Sequence, residues 1–360
     1  MSKHLRVPGP TPLPPRVLQA MSHPMINHRS IEFRELLKGL LADLRHIFQT
    51  ESDILLMAAS GTGGLEAALV NVIEPGDRVL AVTSGYFGDR FAAIAEVLGG
   101  EVSRLSFPWG TAASPEAIKD HLSRYPNTKA VLVTHNETST GITNDLRAIS
   151  NAVHALGETS PLLLVDAVSS LAAIDLPTDA WKCDIVITCS QKALMAPPGI
   201  ALLSVNPRAW RIIEQTPRRS YYFDLSAMRQ RAQDGETPAT PPISDVFGLR
   251  EGTNMILEEG LHNVFSRHAS LAHHLREGLL QLGLTLFADP EFWSNTVTAI
   301  APPEGLPAEE VRASLREAHG IATGGGQGPL KGKIFRIGHM GYITEEDIDQ
   351  VLVALRSVLG

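Results

Sequence analysis

Short, unbroken apolar runs recur along the chain and constrain its fold more than any other feature: Ile54 to Ser60, Arg78 to Ser84, Ala130 to His135, Pro161 to Ala167, Asp184 to Ser190 and Gly199 to Val205. Runs of this length, rich in Val, Ile and Leu and lacking polar alternation, are strands buried on both faces. Helical patterns separate them, as where Phe91, Ile94, Val97 and Leu98 end at Gly99 and Gly100, a period near 3.6 with a glycine stop. Strand and helix in alternation predict an α/β sheet, mostly parallel.

The flanks complete the plan. Phe33, Leu36, Leu37, Leu40, Leu44, Ile47 and Phe48 mark a long amphipathic helix that leads into the sheet. After about Phe247 strands thin out. Leu261 to Leu282 is a long helical pattern, and Thr344 caps a last helix with Ile348, Val351, Leu352 and Leu355 as its buried stripe. At 360 residues the chain exceeds one ordinary core. The expected division is an N-terminal arm (1–20), a large domain (21–258) and a small C-terminal domain (259–360).

Composition excludes several functions. Hydrophobic residues at 44% argue against disorder, and a net charge of -8 without a basic run leaves nothing to attract nucleic acid. No apolar span reaches eighteen residues, so no membrane segment is expected. Cys183 and Cys189 form neither a disulfide framework nor a zinc set, which points to a reducing, cytoplasmic setting. His262, His268, His273 and His274 lie on the late helix, where adjacency of the last two favours a solvated surface over a metal site.

Two glycine clusters compete for a phosphate. Gly61, Gly63 and Gly64 follow a strand and precede the helix Leu65 to Val70, which aims free N–H groups and a helix dipole at one spot. Glu66 rules out a dinucleotide fingerprint there. In the other cluster, Gly332 and Lys333 are followed by Ile334, so it is no P-loop. Lys192 follows one buried run and Asp166 ends another, both at the strand edge where open α/β sheets place ligands. A lysine, an acid and a phosphate cradle at neighbouring strand ends are what pyridoxal 5'-phosphate requires, although a strand-end ion pair would present the same residues.

The segments ASGTGGLEAAL (59–69), THNETSTG (134–141), LLLVDAVSSL (162–171), SQKALMAPPG (190–199) and FRIGHMG (335–341) carry a resemblance. With PGPTPLPPRV (8–17) and NHRS (27–30), they resemble the class V aminotransferases of the alanine:glyoxylate and serine:glyoxylate type across nearly the whole chain. The resemblance implies fold type I of the pyridoxal enzymes. That is a large domain with a mainly parallel seven-stranded sheet, a small C-terminal α+β domain, and a homodimer sharing its active sites. It implies Lys192 as Schiff-base lysine and proton shuttle, and Asp166 as partner of the pyridine nitrogen. Ser60, Gly61, Thr62 and Gln191 would surround the phosphate, Thr138 would bond the ring hydroxyl, Val168 would pack beneath the ring, and Phe87 would stack where a tryptophan is common.

Arg336 would clamp the substrate carboxylate, with Gly9 and Thr11 lining the same pocket. Thr240, in the loop TPATPP, matches a threonine that reaches the partner subunit's phosphate site, whereas Thr237 stands where some members have a tyrosine. The implied reaction moves an amino group from alanine or serine to glyoxylate or another 2-oxo acid. Ureidoglycine and aminophosphonate donors stay open, as does a non-catalytic subunit that keeps the fold. A desulfurase would need a nucleophilic cysteine well after the lysine, and both cysteines precede Lys192.

Overall fold

The computed structural model describes residues 4–360, so the first three residues of the 1–20 arm lie outside the described residues. The chain opens with β1 (His4–Arg6) and α1 (Pro15–Met21), then the amphipathic helix α2 (Ile31–Phe48), capped by Ser30, whose side chain accepts from Phe33 N. A run of strand–helix units follows: β2 (Asp53–Ala58), α3 (Gly61–Val70), β3 (Arg78–Thr83), α4 (Tyr86–Val97), β4 (Glu101–Ser106), α5 (Pro115–Arg124) and β5 (Ala130–Thr134). After a two-residue ribbon, β6 (Asn136–Glu137) with β7 (Ile142–Thr143), come α6 (Leu146–Val153), β8 (Leu162–Asp166), β9 (Ile185–Cys189) and β10 (Ile200–Val205). Four helices, α7 (Pro207–Ile213), α8 (Leu225–Gln233), α9 (Ile243–Glu259) and α10 (Leu261–Gln281), lead to β11 (Thr285–Leu286) and β12 (Val297–Ala301). The chain closes with α11 (Ala308–His319), β13 (Ile321–Gly325), β14 (Phe335–Gly338) and α12 (Glu345–Leu359).

The large sheet has seven strands in the order β2-β10-β9-β8-β5-β3-β4. It is parallel except for β10, which runs antiparallel to both neighbours. All six apolar runs are strands of it. The seventh, β4, escapes a hydrophobicity reading because it is an edge strand, its side chains partly or fully exposed. Along β8, Leu163 and Val165 face one apolar cluster while Leu162 and Leu164 face another, so helices cover both sides. Each such leucine, fully buried, contributes roughly 1.5–3 kcal/mol relative to exposure.

A second, five-stranded sheet, β1-β13-β14-β12-β11, packs α10, α11 and α12 around Leu275, Leu279, Val311, Phe335, Ile337 and Val351. The amino-terminal segment belongs to this sheet: His4 to Arg6 pair in parallel with Ile321 to Thr323. Its next turn, α1, packs on α9, so residues 4–21 tie the two lobes together. Thr344 caps α12 in a full capping box with Asp347.

The late histidines divide. His262 and His273 are exposed and His274 bonds Asp349, but His268 is fully buried, contrary to the solvated face expected for it. Its Nε2 accepts from Gly341 N at 3.0 Å, which pins the turn after β14. No helix of the described residues is long and apolar enough to cross a membrane.

Candidate active site

The parallel arrangement brings the C-terminal ends of β2, β3, β5, β8 and β9 to one edge, and a cavity of about 260 Å³ opens there. Ser60, Gly61, Thr62, Leu65, Phe87, Arg90, Asn136, Thr138, Asp166, Val168, Ser169, Gln191 and Lys192 line it. Most sequence-singled residues therefore share one space.

The glycine segment is helix rather than loop. Ser60 is the N-cap of α3, its Oγ accepting from Gly63 N at 3.4 Å and its carbonyl from Gly64 N at 3.1 Å, so Gly61 to Gly64 form the first turn and the N–H groups of Gly61 and Thr62 are left at the cavity end. Close packing explains the glycines: a Cβ on Gly61 would stand 2.8 Å from Val168 Cγ2, and one on Gly64 2.8 Å from Ile187 Cγ2. Any side chain would push the helix start away from the sheet.

Asp166 ends β8 and Lys192 follows β9 by three residues. Asp166 is buried, with Oδ1 accepting from Val168 N at 3.0 Å. Burial pushes its carboxyl up to about 7. Lys192 is also sequestered, and desolvation lowers its ammonium below the ordinary lysine range. Its Nζ donates to Pro8 O, and its own carbonyl accepts from Thr11 Oγ1 at 2.9 Å. Gly9 packs against the lysine side chain. Gly9 and Thr11 thus hold the lysine segment, and Thr11's hydroxyl is committed to that backbone rather than to open cavity.

Arg336 comes from β14 and reaches across from the second lobe. It is buried, its Nε donating to Gly325 O and its Nη1 to Thr138 O, both at 2.8 Å. Burial lowers its guanidinium to about 10, which leaves it charged at neutral pH. Thr237 and Thr240 do not enter this cavity. Thr237 Oγ1 bonds Ala239 O at 2.7 Å beside Tyr222, and Thr240 is exposed.

Several residues of the site escaped the sequence reading. Asn136 Nδ2 donates to Ser169 Oγ and Thr296 Oγ1, joining the two lobes under the cavity. Glu137 is fully buried, and its Oε2 accepts from Phe87 N and Gly88 N at 3.0 Å while its Oε1 accepts from Ser139 N and Oγ. It caps α4, whose own N-cap is Gly85, a residue with no side chain to do so. Arg90 lies three residues after Phe87 on α4; that spacing puts both on one helix face and is the signal by which it could have been found.

These groups form a set with a definite chemistry. A helix N-terminus suits a phosphate, and the Asp166 carboxyl in the cavity wall suits a ring N–H. The aromatic face of Phe87 and the apolar Val168 suit a flat ring, and a desolvated amine suits an aldehyde. Gln191 Oε1 is buried without a hydrogen-bond partner, a polar atom awaiting a donor. The residues present fit pyridoxal 5'-phosphate.

Comparison with known proteins agrees. The Aminotransferase class-V family model matches residues 4–351. The chain is 41% identical to the soluble hydrogenase small subunit of Synechococcus sp. over 99% of its length and 92% of that protein's. It is 40% identical to the serine–glyoxylate aminotransferase of Methylorubrum extorquens, over 95% of this chain and 87% of that one. Among solved structures, the alanine–glyoxylate aminotransferase from Nostoc sp. superposes with a TM-score of 0.95 at 34% identity, covering 100% of this chain and 96% of the other.

Proposed function

This chain belongs to the aminotransferase class-V family, and on that footing we propose that it moves an amino group from a small amino acid, alanine or serine, to glyoxylate or another 2-oxo acid, using pyridoxal 5'-phosphate at Lys192. One observation carries the reading: the half-buried Lys192, the buried carboxyl of Asp166 and the N-terminus of α3 share the wall of one cavity. The bound cofactor supplies an aldehyde and an electron-accepting ring that make the α-proton of an amino acid labile. The protein's residues do the rest.

Lys192 would hold the cofactor and move a proton with Nζ, a task suited to an amine whose charged form is disfavoured by desolvation. Asp166 gives up its proton to face the pyridine nitrogen, which restores the ion pair its buried carboxyl lacks. Ser60, Gly61, Thr62 and Gln191 take the phosphate, Thr138 the ring hydroxyl, and Phe87 and Val168 the two ring faces. Arg336 takes the substrate carboxylate, because a planar fork matches two oxygens. The chain acts as a homodimer in the cytoplasm, where two buried free thiols stay reduced. The exposed Thr240, with Thr237 beside it, would serve the partner's phosphate site.

A non-catalytic place in a larger complex is the second reading, favoured by the hydrogenase subunit among the relatives. One experiment separates them. Purified protein is expected to show a visible cofactor absorbance that changes on adding an amino donor, and to turn over alanine or serine with glyoxylate. A panel extended to ureidoglycine, an aminophosphonate and pyruvate identifies the substrates. No turnover across the panel supports the second reading.

A further inference from the structure

One charged side chain of the cavity has no role in the reading above. Arg90 lines the cavity from the first turns of α4, and its Nη1 donates to Thr62 Oγ1 at 3.2 Å. Its Cζ stands 4.9 Å from the Phe87 ring centroid and 5.2 Å from that of Tyr86. The guanidinium is therefore spent on a hydroxyl and two ring faces rather than on a carboxylate. Such contacts are worth only about 0.5–2 kcal/mol for the ring term and leave the charge itself unbalanced. Its neighbour Asp89 pairs elsewhere, with Arg104.

The surroundings fix what would balance it. Arg90's charge is felt across the cavity, where it opposes protonation of both Asp166 and Lys192. Asp166, at the other end of the cofactor site, is assigned to a ring nitrogen. The remaining polar feature beside Arg90 is the start of α3, where the N–H groups following Ser60 present partial positive charge. A cation and a helix N-terminus meeting at Thr62 suit an anionic ligand group, such as a phosphate ester.

We propose that Arg90 is a phosphate-binding residue of this site, pairing with the cofactor phosphate seated on Ser60, Gly61 and Thr62 and aligning Phe87 through the same helical turn. This rests on the cofactor reading. The fork already touches Thr62, so the pairing needs no rearrangement of α3 or α4. Arginine, not lysine, suits the place because its flat face covers the aromatic rings while its edge meets oxygen atoms.

The test compares two ligands that differ only in the phosphate. Apoprotein is titrated with pyridoxal 5'-phosphate and with pyridoxal for wild type, Arg90→Met and Arg90→Lys, with thermal melts of each apoprotein to establish folding. Loss of a charge-assisted contact predicts that Arg90→Met weakens phosphate-ester binding roughly tenfold to a hundredfold. Pyridoxal binding should stay within about threefold of wild type, and Arg90→Lys should recover part of the loss. Inorganic phosphate should compete with pyridoxal 5'-phosphate more weakly in the methionine variant than in wild type. Equal losses for both ligands mean that Arg90 only supports the Phe87 ring, and no loss means it is idle; either overturns the proposal. Should Arg90→Met fail to melt cooperatively, the same comparison on Arg90→Lys decides, since an ammonium on a shorter stem cannot keep both contacts. Borohydride labelling of wild type at Lys192 tells these outcomes apart from failure of the cofactor reading itself.

Discussion

Gly9 abuts Lys192: a methyl group built on its Cα would stand 2.7 Å from both Cδ and Cε of that lysine. Its backbone also sits at φ +129°, where L side chains are strained. The amino-terminal strand thus sets how far the amine projects. Gly9→Ala should fold but displace Nζ, and a displacement on the order of 1 Å costs about a hundredfold in turnover. Steady-state rates with alanine and glyoxylate check this, beside the apoprotein melt; wild-type turnover in the variant would contradict it.

Asp166 links function to stability. Its carboxyl is raised from 3.8 to about 7 by burial, so the folded apoprotein binds a proton that the unfolded chain releases between those values. This group's contribution is complete below about pH 4 and is lost as pH climbs through 7, an effect on the order of 4 kcal/mol. Asp166→Asn removes that loss. The apo variant should melt a few degrees above wild type at pH 8 and equal to it near pH 4. The same variant should lose several orders of magnitude in turnover, because an amide cannot hold a proton on the ring nitrogen. Activity within about threefold of wild type, less than about 0.7 kcal/mol on the barrier, would refute the role.

Arg336 separates substrate binding from cofactor retention. Arg336→Lys exchanges a fork for a point charge and leaves Thr138 O or Gly325 O without its donor. The amino-acid KM should rise roughly tenfold to a hundredfold with cofactor content near normal. An unchanged KM for both substrates, or cofactor loss without a binding defect, would make Arg336 structural.

Glu137 should matter through α4. Glu137→Gln turns one acceptor oxygen into a donor facing either the amides of Phe87 and Gly88 or Ser139. A buried mismatch of this kind costs on the order of 2 kcal/mol, seen as a lower denaturation midpoint. Because Phe87 is anchored by the same bonds, visible circular dichroism of the bound cofactor should change as well. A lower midpoint with unaltered dichroism would confine Glu137 to stability.

How far the sequence spoke depends on which force placed each residue. The six buried strands and the cap at Thr344 were legible, since apolar runs and local hydrogen bonds are written in consecutive residues. Asp166 and Lys192 followed because parallel strands end on one edge. What pairwise packing decides was hidden. The burial of His268 depends on Gly341, 73 residues away. The pairing of His4–Arg6 with Ile321–Thr323 joins opposite ends of the chain, and β4 carried no apolar signal. Glu137 looked like one more polar residue in THNETSTG until the fold set it under α4.

The identity of the amine that holds the cofactor is the most direct test. Protein loaded with pyridoxal 5'-phosphate, reduced with borohydride and digested, should carry the pyridoxyl group on the peptide containing Lys192, and Lys192→Ala should show neither label nor visible absorbance. A label on any other peptide, or an undiminished band in the alanine variant, would contradict it.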